Sequence, residues 1–225
     1  MFSLKFQRKL AINKKWKGQH EQVPAYSISF GLLLSSALAR EEFRTMKLLS
    51  SSMLPTLSEG SLVFVHLLFP TKQLRIGDVV SFNIPKDKSS TFVKRIVGTG
   101  GDRIQMVDGI LIINGQSVKR EKVVDYIPVE EGVPGKPIKR WRETLPNGVR
   151  FMTLDITDRG FYDHTPVYVV PANHYFMMGD NRDNSTDSRV LSQVGYVPAE
   201  NITGKALYGI SLLSLETGTH GQVPR

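Results

Sequence analysis

The chain has 225 residues, 40% hydrophobic content, a net charge of +8 and no cysteine. That length holds one sizeable domain plus a small appendage, and that composition calls for a packed core rather than disorder. The missing cysteines exclude thiolate catalysis, disulfide staples and cysteine-ligated zinc.

The first predicted element is marked by charge. Lys5, Arg8, Lys9, Lys14, Lys15 and Lys17 stand against Glu21 alone, so the first 23 residues hold +5 of the +8. A nucleic-acid binder would spread its charge over one folded face with aromatics interleaved, so no nucleic acid is expected as a partner. A basic head followed at once by an apolar run is instead the asymmetry of a membrane-inserted segment with its positive end in the cytoplasm. Val23 to Ala39 is uncharged and is closed by Arg40-Glu41-Glu42. Its length lies at the bottom of the spanning range of roughly 17 to 25 residues. Four serines and Gly31 weaken it further. An uncleaved anchor fits this segment best. A cleaved secretory signal competes, because Ala37-Leu38-Ala39 has the small-x-small form of a cleavage site, although the basic lead is long for one. A buried helix is the third reading. The favoured division is a basic cytoplasmic segment at 1–22, a single transmembrane anchor at 23–39 and an extracytoplasmic β domain at 40–225.

Next comes Ser50-Ser51-Ser52-Met53-Leu54-Pro55-Thr56-Leu57. Pro55 fixes the backbone, and Met53 and Leu57 can dock the segment on an apolar surface. Three serines could equally be a polar linker leaving the membrane. A serine hydroxyl is a weak nucleophile unless a base accepts its proton. Neither a Gly-x-Ser-x-Gly elbow nor a Ser-x-x-Lys pair occurs, so two common serine-hydrolase arrangements are absent.

From residue 60 onward the pattern is strand-like. Leu62–Val65 and Val79–Phe82 are β-rich runs bounded by Gly60, Pro70, Gly77-Asp78 and Pro85. Thr91-Phe92-Val93-Lys94-Arg95-Ile96-Val97-Gly98 sets a lysine in an apolar, β-branched run. Side chains alternate along a strand, so Lys94 shares its face with Phe92 and Ile96. Burial there would disfavour the ammonium form, and only the neutral amine can accept a proton from serine. The competing reading is a surface lysine beside Arg95 on a basic strand edge. Gly98-Thr99-Gly100-Gly101 lacks the Gly-Lys-Ser/Thr ending of a phosphate cradle and reads as a turn.

Asp108-Gly109 and Asn114-Gly115 flank Ile110–Ile113 and predict tight hairpin turns. Pro146-Asn147-Gly148 divides Trp141–Leu145 from Val149–Ile156 in the same way, and Pro128–Pro137 reads as an irregular loop. The polar end Glu216–Arg225 reads as frayed. The five histidines share no spacing and sit beside no catalytic motif, which makes them solvated or structural.

The last motif is Gly179-Asp180-Asn181-Arg182-Asp183-Asn184-Ser185-Thr186-Asp187-Ser188-Arg189. Asp180, Arg182, Asp187 and Arg189 read as an ion-pair network bracing a loop, since a free charge beside a neutral lysine would shift its pKa.

The serine motif, the lysine strand and this acidic-basic segment, in this order, resemble the bacterial type I signal peptidases, over most of the chain after residue 45. The resemblance implies a mostly β, antiparallel domain with long hairpins plus one N-terminal transmembrane helix. It implies Ser52 as nucleophile and Lys94 as general base. It implies an oxyanion hole from the Ser50 hydroxyl and the Ser52 N–H, with Ser185 orienting the lysine. Leu48, Leu49, Met53, Leu57, Phe92 and Val93 match positions that line shallow pockets for small side chains. Leu49 stands where the family often has proline, and Ser51 where it often has glycine.

The implied function is a monomeric, membrane-anchored serine endopeptidase that removes signal peptides from exported preproteins by cutting after small residues. The implied location is the bacterial cytoplasmic membrane, with the N-terminus inside and the catalytic domain outside. Preprotein signal peptides and membrane lipid are the expected partners; no metal or cofactor is called for. A self-cleaving repressor would need a helix-turn-helix head and an Ala-Gly or Cys-Gly bond before Ser52, and neither is present. The rivals are a Ser/Lys maturation peptidase of a secretion or conjugation system and an inactive membrane-tethered binding module. Retention of Ser50, Ser52, Lys94 and Ser185 together weighs against the latter.

Overall fold

The computed structural model describes residues 43–67, 73–130, 133–210 and 221–222. The basic lead and the apolar segment expected to form a transmembrane helix lie outside the described residues. Among those described, no helix is long and apolar enough to cross a membrane.

Strands dominate. In chain order they are β1 (Phe43–Lys47), β2 (Leu62–His66), β3 (Val79–Ile84), β4 (Asp87–Thr99), β5 (Arg103–Val107) and β6 (Ile110–Ile113). There follow β7 (Gln116–Ser117), β8 (Lys119–Lys122), β9 (Val129–Glu130), β10 (Val133–Pro134), β11 (Lys139–Thr144) and β12 (Arg150–Asp155). The last are β13 (Tyr168–Val169), β14 (His174–Met178), β15 (Val197–Pro198), β16 (Ile202–Ile210) and β17 (Gly221–Gln222).

The local chemistry explains most of these. β5 and β6 alternate buried and more open side chains, the period of a strand with one face on a core. β3 is buried on both faces, with Val80, Phe82 and Ile84 on one and Val79 and Ser81 on the other. Asp108 and Gly109 both take positive φ, as do Asn114 and Gly115, which is the geometry of two-residue hairpin turns. At the third turn Leu145 N–H donates to Val149 O across 2.9 Å.

The largest sheet has the order β1-β2-β16-β3-β4-β14-β15, with β17 added beside β16, and every pairing is antiparallel. Smaller sheets are β13-β5-β6-β7 and β12-β11-β8. Core side chains gather in three clusters, one of which packs Leu48, Met53 and Leu57 against Val63, Val65, Val79 and Val93.

Pairing along β4 positions the site. β3 runs beside almost all of it, whereas β14 reaches only Arg95–Thr99. Among the described residues the Thr91–Lys94 stretch therefore keeps one free edge.

Two expectations change. Pro128–Pro137 is not wholly irregular, because β9 and β10 pair within it and Gly135 N–H donates to Pro128 O across 2.7 Å. Within the end read as frayed, Gly221 and Gln222 pair with Gly209 and Tyr208.

Candidate active site

After β1 the chain turns sharply. Leu54 N–H donates to Ser51 O (3.1 Å) and Leu57 N–H to Met53 O (2.9 Å). The buried Met53 and Leu57 side chains dock this turn on the core, which draws Ser52 inward until it is 7% exposed. The Ser52 carbonyl accepts the Asn181 N–H at 3.1 Å, and the Ser51 carbonyl accepts Asn181 Nδ2 at 3.2 Å. Asn184 Nδ2 donates to Ser51 Oγ at 2.9 Å. The 179–189 segment thus holds the serine turn from behind by three hydrogen bonds.

β4 supplies the amine. Lys94 is 4% exposed, and its Nζ stands 5.1 Å from the Phe92 ring centre. Nζ donates to Ser52 Oγ across 2.5 Å. Once a proton leaves the ammonium, the same separation lets the hydroxyl donate to the amine. Burial lowers the Lys94 pKa from 10.5 to about 8, against the upward pull of Asp187 and Asp180 and with help from Arg189.

Those charges are all engaged elsewhere. Arg95, on the opposite face of β4, is fully buried and grips Asp180 with Nε to Oδ1 at 2.9 Å and Nη2 to Oδ2 at 2.7 Å. Its Nη1 donates to Gly77 O at 2.6 Å, and its guanidinium lies 4.1 Å from the Phe151 ring centre. Thr56 Oγ1 also donates to Asp180. Arg189 makes the matching two-pronged contact to Asp187, at 2.9 and 2.8 Å, and Gly179 N–H adds a third bond at 3.0 Å. Burial alone would raise the Asp187 carboxyl, but these partners hold it below the usual carboxylate range. Arg182 pairs with Glu143 of β11 at 2.7 Å. The exposed basic strand edge that competed for Lys94 and Arg95 is therefore not what forms, because both side chains are buried.

Ser50 Oγ stands 3.2 Å from Ser52 Oγ, and the Ser52 N–H has no acceptor among the described residues. The two donors expected to receive an oxyanion are thus together at the serine. Ser185 lines the same groove, but the hydrogen bond to Lys94 that the resemblance implied is absent. Its Oγ is buried without a partner, leaning on the Asp187 carboxylate short of hydrogen-bond geometry. Gly179 sits against it, and a Cβ there would lie 2.5 Å from the Ser52 carbonyl oxygen.

The groove in front of the serine has a volume of about 800 Å³. Leu48, Leu49, Met53, Phe92 and Val93 all line it, with Leu49 standing 83% exposed on its rim. Leu57 does not, because it is spent in the core beneath the turn. No histidine among the described residues lines it. His66 stacks on Phe43, His164 faces Asp108 and His174 bonds Ala172 O. His20 and His220 lie outside the described residues.

Several participants went unread in the sequence. Asn181 and Asn184 lie inside the motif but carry no charge to draw attention. Glu143 had a usable signal, since an acid between Trp141 and Leu145 falls on one face of a strand with them. Tyr162 lines the groove from a loop that carries no motif at all.

A family model described as signal peptidase, peptidase S26, matches residues 22–210. The signal peptidase I of Rickettsia typhi is 40% identical over 138 residues, covering 59% of this chain and 50% of that protein. The signal peptidase I of Rickettsia prowazekii is 38% identical over 157 residues, covering 64% and 56%. The chain spans about half the length of the curated relatives it matches. A crystal structure of a signal peptidase I from Enterococcus faecalis V583 aligns at 23% identity with a TM-score of 0.34, covering 59% of this chain and 96% of that one.

Proposed function

Because the chain belongs to the signal peptidase family, peptidase S26, we propose that it is a membrane-anchored serine endopeptidase. It removes signal peptides from exported preproteins after small residues, with Ser52 as nucleophile and Lys94 as general base. One observation carries the proposal. A buried lysine with its pKa lowered to about 8 has its amine 2.5 Å from a buried serine hydroxyl.

The neutral Lys94 amine takes the hydroxyl proton as Ser52 Oγ attacks the scissile carbonyl. The Ser50 hydroxyl and the Ser52 N–H donate to the oxyanion, a contribution for which one donor is commonly worth about 2.7–4 kcal/mol. The Lys94 ammonium then protonates the leaving amine, and the C–N bond breaks to leave an ester on Ser52. Lys94, neutral again, deprotonates a water that hydrolyses this ester. Asp180, Arg182, Asp187 and Arg189 brace the loop.

The placement in the cell rests on the sequence. Residues 1–22 remain in the cytoplasm, 23–39 anchor the chain, and the remainder works outside. Ser52 follows the apolar run by only 13 residues, which keeps the site near the membrane surface where signal-peptide junctions emerge. The test is cleavage of a preprotein by the full chain in detergent. Ser52→Ala should abolish it, and Lys94→Met should lower kcat by roughly 10²–10⁴. Undiminished cleavage by either variant would contradict the dyad.

A further inference from the structure

Tyr162 lines the groove on the side of Asp183, Asn184 and Ser185. Its neighbour Phe161 is 88% exposed, and the two rings meet edge to face with centroids 4.9 Å apart. A single ring left in water is common on protein surfaces. What sets this pair apart is how firmly its loop is held. Asp183 Oδ2 accepts the N–H groups of Ile156 at 2.7 Å and Thr157 at 3.0 Å. Asp163 Oδ2 accepts the Gly160 N–H at 2.6 Å, and the Asp163 N–H returns to Gly160 O at 3.1 Å. Gly160 leaves room for the Asp183 carboxylate where a Cβ would stand. The Arg189 guanidinium lies 5.2 Å from the Tyr162 ring centre.

The loop backbone is therefore fastened to the same segment that carries Ser185, which sets the pair beside the groove. An aromatic pair held at a groove rim is already in its bound geometry and loses little freedom when a ligand arrives. Neither ring belongs to the pockets expected for small residues, and Phe161 adjoins the groove through Tyr162, which lines it.

We propose that Phe161 and Tyr162 form an aromatic ledge that binds an apolar side chain of the substrate peptide, outside the pockets for small residues. The ledge gives the enzyme a second sequence preference. This rests on the endopeptidase reading above.

The test uses the full chain in detergent with Ser52→Ala, so that bound peptide survives, and a fluorescent peptide spanning a signal-peptide junction. Each position within five residues of the scissile bond is made Leu or Ser in turn, and Kd is read by anisotropy. At one position beyond the small-residue sites, Leu should bind roughly three- to tenfold tighter than Ser. Adding Phe161→Ser should erase that difference while sparing the small-residue preferences. No such preference, or one that survives Phe161→Ser, overturns the ledge. So does a Phe161→Ser chain that loses affinity for lipid vesicles while its peptide Kd values stay unchanged, since the ring would then face lipid. Turnover of the same peptides by the chain with Ser52 intact judges the endopeptidase reading separately. Cleavage with an unaltered Leu preference in Phe161→Ser sinks the ledge alone, and no cleavage sinks the reading beneath it.

Discussion

Lys94 is set by opposing forces of known sign. Desolvation pushes its amine toward neutrality, and two nearby carboxylates pull the other way. Their pull is blunted because Asp180 and Asp187 each spend both oxygens on an arginine. As the proposed nucleophile Ser52 needs a different kind of control, since a hydroxyl attacks faster when its backbone holds it in place. Asn184 contributes by donating to Ser51 Oγ, a contact that glycine at 51 could not make. Such a bond is worth about 0.5–1.5 kcal/mol. Asn184→Ala should therefore lower kcat roughly two- to tenfold with KM unchanged, by steady-state kinetics. Adding Ser51→Gly should cost little more, because both changes remove one interaction. Fully additive losses would show that the two residues act independently. Ser52 and Lys94 were legible in the sequence through their motifs. The Ser51–Asn184 contact was not, because it joins residues 133 apart with no charge between them.

At the scale of elements, β4 does two jobs by alternation. Lys94 faces the serine turn, and Arg95 faces the 179–189 segment and clamps Asp180. Removing one member of such a buried pair leaves an uncompensated charge, at a cost of about 3–5 kcal/mol. Arg95→Met should lose stability on that order in thermal or urea unfolding, and Arg95→Met with Asp180→Leu should regain most of it. A loss below about 1 kcal/mol for the single change would mean that the clamp is ornamental. Alternation on β4 was readable from residue order, as were the Asp-Gly and Asn-Gly hairpins, whose positive φ follows from local chemistry alone. β1 was not readable. Among the described residues Phe43-Arg44-Thr45-Met46-Lys47 pairs with one neighbour only, and its mostly exposed side chains leave no apolar period. The β9–β10 ladder is too short to have a period.

In the molecule as a whole, three stretches separated by long intervals of chain meet at one groove. The serine turn is seated by core packing, the lysine by sheet pairing, and the 179–189 segment by buried ion pairs. Motif identity made the meeting legible, and the resemblance supplied roles, but the groove's outer wall depended on a loop whose position only the tertiary fold decides. Ser185 shows the limit of transfer by motif, for its hydroxyl lies in the right cavity yet bonds to neither Lys94 nor any other described group. Leu57 shows another, since core packing claims it before any substrate could.

In the proposed mechanism Lys94 acts as the neutral amine, whose share grows as pH rises through about 8. The pH dependence of kcat/KM reports the ionisations of the free enzyme. Since the base form is the active one and burial lowers its pKa to about 8, the rate should climb with pH through that value and level off above it. The measurement is kcat/KM for preprotein cleavage from about pH 6 to pH 10, a range that brackets a tuned lysine. A tenfold rise per unit below a single inflection near 8 is the predicted result, and a profile flat across the whole range would contradict the account.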